Sequence, residues 1–288
     1  QLGVIMMRRG EYLQAEQTCH QGLATLPAPP AAQRERVELM QLLGTISCMR
    51  ANYGQAIALL HESLPLAREL GDPYLVAPML RDLGLFFFCT GNRDQALSYY
   101  HECLQADERT GDMFGRLRLL GHLGLLHMTY GEYERALGYY QEAFQLATGL
   151  NLPDIMANIA INLGQLAYFQ GELDRAHDYL LRGYTIAQEH GDGRHATDSL
   201  YRLGDVVLAR GDYQAGLRYG EQALVQARQV ASDGFVASAL RVIGEAYTCL
   251  GRLGEAAAYL AEAQAVQAHV DDPYDQVLLS VAAARLAL

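Results

Sequence analysis

The chain has 288 residues, half of them apolar and 19% charged, with a net charge of −11 and a pI near 5.2. That is the composition of a globular protein, and its acidic balance argues against direct nucleic-acid binding. No apolar run is long enough for a transmembrane helix, and Gln1 to Arg9 lack the basic–apolar–cleavage-site order of a signal peptide.

An aliphatic–Gly pair runs through the chain in fixed register: Leu43-Gly44, Leu83-Gly84, Leu123-Gly124, Leu163-Gly164, Leu203-Gly204 and Ile243-Gly244, each 40 residues after the last. A second glycine follows at Gly91, Gly131, Gly171, Gly211 and Gly251, with Ala51 in its place in the first of these units. A small residue comes next, at Ala56, Ala96, Ala136, Ala176, Gly216 and Ala256. The N-terminus carries the same marks at Leu2-Gly3, Gly10 and Ala15, one residue out of step, with the insertion near the turn-rich LPAPPA at 26–31. A constant period of this length signals stacked supersecondary units. The boundaries read as a partial repeat at 1–32, repeats at about 33–71, 72–111, 112–151, 152–191, 192–231 and 232–271, and a terminal helix at 272–288.

Each unit reads as two helices. The stretch 72–91 opens with Asp72 as N-cap and Pro73 at the first helical position, and closes on a glycine. Asp112, Asp192 and Asp272 are similar caps. The second helix, for example 93–110, carries an aromatic-rich face and stops before Gly111. Short turns force antiparallel packing, and Gly84 with Ala96, like their equivalents, let the two helices approach closely. Pro65 and Pro78 fall inside helices and are expected to kink or locally open them.

Leu123-Gly124, Gly131-Glu132-Tyr133, Ala136, Tyr140 and Ala143 resemble the tetratricopeptide repeat pattern, and the resemblance covers essentially 1–288. The departures are a longer period, no Trp, and Gly216 for Ala. The period and the R-E-L-G-D joint at 68–72 are similar to arrays in bacterial MalT-type or LuxR-type activators, signalling NTPases, and the Pins and kinesin light chain scaffolds. The resemblance implies an all-α fold, a right-handed superhelix (alpha solenoid) of antiparallel helix pairs with about seven repeats. It also implies a concave groove lined by the first helices. Gln1 falls in the middle of a first helix and the chain stops within or just after another, so it reads as part of a longer protein.

Carried onto this chain, the groove candidates are Arg81, Asp82, Leu85, Phe88, Arg118, His122, Leu125 and Met128, then Asn158, Asn162, Gln165, Tyr168, Tyr201, Arg202, Asp205, Arg241 and Glu245. The first set is partly apolar and the second polar, as suits a peptide held by side chains at one end and backbone or charge at the other. Asn162 is placed to clamp a backbone. Arg81, Arg118, Arg202 and Arg241 could receive a carboxylate unless Asp82, Asp205 and Glu245 neutralise them.

No catalytic, metal or cofactor site is expected. His20, His61 and His101 sit one per repeat rather than converging, and the glycines form neither a G-x-G-x-x-G, a Walker loop nor a G-x-S-x-G elbow. Cys19 and Cys103 read as core fillers, the YY pairs at 99–100 and 139–140 as packing, and His127 as core. Five widely spaced cysteines suit a reduced, cytoplasmic protein, and the absence of lysine a GC-rich, bacterial genome. The expected function is non-catalytic protein–protein interaction within a larger signalling or regulatory protein, with a peptide, a partner domain or the parent's own effector domain in the groove. The alternatives are a small-molecule-sensing arm of an NTPase or transcription activator, and self-association through exposed terminal half-repeats.

Overall fold

The computed structural model describes residues 2–8, 11–27, 31–268 and 273–287. Among them there are fifteen α-helices and no strand. Gly10, Asp272 and part of the 26–31 turn lie outside the described residues. Two compact units, Gln1–Tyr130 and Gly131–Leu288, divide the chain. The first holds α1 (Leu2–Arg8), α2 (Tyr12–Thr25), α3 (Gln33–Met49), α4 (Tyr53–Glu69), α5 (Pro73–Cys89), α6 (Arg93–Thr110) and α7 (Met113–Thr129). The second holds α8 (Tyr133–Gly149), α9 (Pro153–Phe169), α10 (Leu173–Glu189), α11 (Gly193–Ala209), α12 (Tyr213–Gln229), α13 (Asp233–Cys249), α14 (Leu253–Gln267) and α15 (Pro273–Ala287).

Local chemistry sets the helix ends. The side chains of Asp72, Asp112 and Asp192 accept from the N–H groups of Tyr74, Gly115, and Arg194 with His195. Asn52, Asn92 and Asp212 cap second helices in the same way. The turn glycines take left-handed backbone, as Gly91 does at φ 76°, and Ala51 is held there too at φ 56°. An L-residue pays about 1–2 kcal/mol for that conformation. Both α4 and α5 run unbroken through Pro65 and Pro78, contrary to the expected opening. The carbonyls that lose a donor belong to His61 and Tyr74, both exposed residues that water can reach.

The signature glycine of a first helix packs against a large residue on its partner. A Cβ on Gly44 would lie 3.3 Å from Leu60 Cγ, and one on Gly164 or Gly244 only 2.6 Å from Leu180 or Leu260. At Gly84 a Cβ would clash with the Cδ1 and Cε1 ring carbons of Tyr100, which is fully buried. The repeat of α11 and α12 solves the same problem differently. Gly220 stands where Leu or Tyr stands elsewhere, and Val242 and Ile243 of α13 fill its place. Leu208 likewise folds over Gly216.

In each unit the first helices of successive repeats touch one another (α1, α3, α5, α7; α9, α11, α13, α15), whereas among the described residues the second helices do not. The first helices therefore form the inner side of each unit's curve.

Two substitutions separate packing from propensity. Gly164→Ala should destabilise by about 1–3 kcal/mol from overpacking, and the exposed Gly138→Ala, with open space around its Cβ, should stabilise by about 0.5–1 kcal/mol. Urea denaturation measures both. Ala51→Gly, which relieves a left-handed alanine, should raise the midpoint.

Candidate interaction surface

On the inner face of the first unit, α5 supplies Arg81, Asp82, Leu85 and Phe88, and α7 supplies Arg118, His122, Leu125 and Met128. Leu85 and Phe88 are half-buried and Leu125 is 37% exposed, so an apolar strip is available. Met128 is only 6% exposed and belongs to the core rather than to the strip. Arg81 is buried, at 5% exposure, while Arg118 is exposed. Asp82 accepts a hydrogen bond from Gln41 Nε2 at 3.2 Å, and burial pushes its carboxyl up despite Arg81 and Arg118 nearby. His122 leans on the Tyr100 ring at 6.0 Å, and its buried Nδ1 has no partner. Burial, with the charges of Arg81 and Arg118, pushes its imidazole down to about 4.

The inner face of the second unit is a ladder of polar pairs. Asn162 donates to Asn158 at 3.3 Å, Asn158 meets His195 Nε2 at 3.4 Å, and His195 Nδ1 lies 2.5 Å from Asp192. Arg202 donates to Asp198 at 2.6 Å and lies against the Tyr201 ring. Arg241, 3% exposed, makes a bidentate pair with Asp205 at 2.8 and 2.9 Å and a further bond to Glu245 at 2.9 Å. Burial works against both guanidinium charges, but these carboxylates overcome it and hold both groups firmly ionised.

Gln165, Tyr168, Tyr201, Arg202 and Asp205, all expected from the sequence, line one cavity of about 40 Å³ with Phe169, Leu180, Val206 and Leu278. Leu278, on α15, was not among the expected residues; it reaches the cavity from a helix that the 40-residue register assigns only to the end of the array. Phe235 was also missed. It lies 6.2 Å from Tyr201 and under the Arg194 guanidinium, but it shares no residue type with its register equivalents.

Among the described residues no group of three His, Cys, Asp or Glu side chains is placed to hold a metal ion. His61 instead packs edge-on against Phe87 and Tyr99. Cys19, Cys103, Tyr100, Tyr140 and His127 are all buried. No described helix is long and apolar enough to cross a membrane.

Residues 77–237 match the MalT-like TPR region, and residues 35–109 match the tetratricopeptide repeat. The chain belongs to the MalT-like TPR family. No curated protein matches its sequence significantly. Solved TPR structures share the fold at low identity. A Pyrococcus horikoshii signal transduction ATPase with numerous domains and a tetratricopeptide repeat sensor superposes with a TM-score of 0.73 at 16% identity, over 88% of this chain and 38% of that one. BtubC from P. vanneervenii gives 0.63 at 23% identity, over 77% and 90%. A Rap protein complexed with competence and sporulation factor gives 0.63 at 15%, over 88% and 76%.

Within this TPR register, His122 provides a direct check on the first unit's inner face. Its folded pKa lies below the ordinary histidine value of about 6.5, so the unfolded chain takes up the proton first. The stability tied to neutral His122 is complete above that value and is lost as pH falls toward 4. An NMR titration should show the His122 ring titrating near 4; a midpoint at the ordinary value would contradict the described environment.

Proposed function

We propose that this chain is a non-catalytic interaction module of a larger regulatory or signalling protein, binding an extended peptide or a partner domain along the inner faces of its first helices. The observation that carries the reading is the pattern of that inner surface. The first unit carries an apolar strip at Leu85, Phe88 and Leu125 on α5 and α7, and the second unit, taken by itself, carries hydrogen-bonding amides at Asn158 and Asn162 on α9. Either kind of group can hold an extended ligand, by its side chains in apolar positions or by its backbone on amides. The TPR fold, generally a scaffold for protein interaction, agrees with this, as does a Rap relative solved with competence and sporulation factor.

A second reading has one observation in its favour. Tyr168, Tyr201 and Asp205, the residues a small-molecule sensor would use, do share a cavity. Its volume of about 40 Å³ weighs against it, since small-molecule sites run to roughly 300–1,000 Å³.

The two readings predict opposite results when the protein is screened against a random peptide array and, by thermal shift, against a metabolite panel. The interaction reading expects peptide binders whose affinity falls about tenfold in Asn162→Ala, the loss of roughly one good hydrogen bond, with circular dichroism and melting unchanged. Stabilisation by a metabolite with no peptide binder would replace it with the sensor.

A further inference from the structure

Among the described residues the second helices of successive repeats do not touch, which leaves a cleft between neighbours on the outer side of each unit. Two of these clefts are bridged by an ion pair at one register position. Arg68 of α4 reaches Glu102 of α6 at 2.5 Å, and Arg228 of α12 reaches Glu262 of α14 at 3.2 Å. Between α10 and α12 the same two positions hold Gln188 and Gln222, which have no charge to pair.

The floor of that cleft departs from its neighbours as well. The adjoining joints of the second unit carry Met156 with Ile186 and Val236 with Val266, where this one carries Ala196 with Gln226. Val236 and Val266 pack onto the core beneath them. At Ala196 and Gln226 an open cavity of about 190 Å³ remains, lined also by Ala187, Gln188 and Gln229. A wider hollow of about 490 Å³ adjoins it, sharing Gln226 and Gln229 and running on to Tyr184, Gln222 and Val225. Gln226 Oε1 is buried with no hydrogen-bond partner, a costly state for an amide oxygen, and Val225 is 60% exposed. The carboxylate at the edge of the cavity, Asp192, is already taken up by the cap of α11 and by His195. At the far end Arg218 and Glu221 carry opposite charges.

We propose that the outer cleft between α10 and α12 is a second docking site, separate from the inner face, for an extended and uncharged segment of a partner polypeptide. The buried Gln226 amide calls for a hydrogen-bonding group from outside, and a peptide group offers a donor and an acceptor together, so it satisfies that amide in either orientation. A helix cannot supply such groups, because its main chain is bonded within itself. A charged segment would give up hydration for amides that bring it no counter-charge. Gln188, Gln222 and Gln229 continue the amide lining along the cleft, and Tyr184 and Val225 receive an apolar side chain.

The test selects binders to the whole chain from a random peptide library that omits Asp, Glu, Lys and Arg, and measures them by titration calorimetry on two variants. Ala196→Val with Gln226→Val copies the floor of the next joint, and Gln188→Arg with Gln222→Glu copies the ion-pair bridge of the others. Both should weaken binding about tenfold or more, at least the loss of one good hydrogen bond, while the melting temperature holds or rises, which misfolding cannot produce. Binders that keep their affinity in both variants would overturn the outer site. If those same binders lose affinity in Asn162→Ala, they occupy the inner face and the interaction reading stands. An uncharged library that yields no binder would also overturn the outer site, whereas the inner-face reading is decided by the unrestricted array.

Discussion

The contact between the signature glycine of each first helix and a large side chain on its partner sets the geometry on which the inner surface rests. Gly44 with Leu60, Gly84 with Tyr100, Gly164 with Leu180 and Gly244 with Leu260 bring the two axes of each pair close. A mid-helix glycine costs about 1 kcal/mol against alanine, and a fully buried tyrosine or leucine on the facing helix returns more than that through apolar burial, roughly 1.5–3 kcal/mol. The pairs are then stacked with their first helices touching, and the side chains just before and after each glycine are carried to the inner face.

That arrangement explains why charge on the inner face is paired directly in one place and not in another. Adjacent first helices bring residues 36 apart together, as Arg241 and Asp205 show. Where the register supplies an acid at that distance, a buried arginine is compensated within the fold. Around Arg81 the same positions hold Thr45 and Leu85, and Asp82 and Asp107 act on its charge instead. The second unit's inner face is consequently a set of internally satisfied polar pairs, and the first unit's combines an apolar strip with two arginines, Arg81 and Arg118, on which Asp82, Asp107 and Asp112 act from a distance.

The period alone carried the helical architecture. Helix pairs, turn glycines, the caps at Asp72, Asp112 and Asp192, and the core places of Tyr100, Tyr140 and His127 follow from residues whose roles are local or repeat every 40 positions. The caps Asn52, Asn92 and Asp212 on the second helices follow the same local rule, although the sequence reading did not name them. What the period could not carry was the outcome of competition between side chains. Four arginines were equal candidates for a ligand's carboxylate, and only their three-dimensional surroundings separate Arg202 and Arg241, which are paired, from Arg81 and Arg118. Met128 was assigned to the groove as lying one turn from the residues that flank the signature glycine, but it is only 6% exposed. Leu278 and Phe235 escaped notice because their place in the site depends on how neighbouring helices lean, which no spacing records.

The most direct measurement of the central contact is a double-mutant cycle on Gly84 and Tyr100, followed by urea denaturation. If the glycine exists to admit the ring, Gly84→Ala should cost more than about 1 kcal/mol in the native background and become neutral or stabilising once Tyr100 is cut back to alanine, a coupling in the range expected of touching residues. Equal costs in the two backgrounds would mean that Gly84 and Tyr100 act independently, and would contradict the packing on which the inner surface is built.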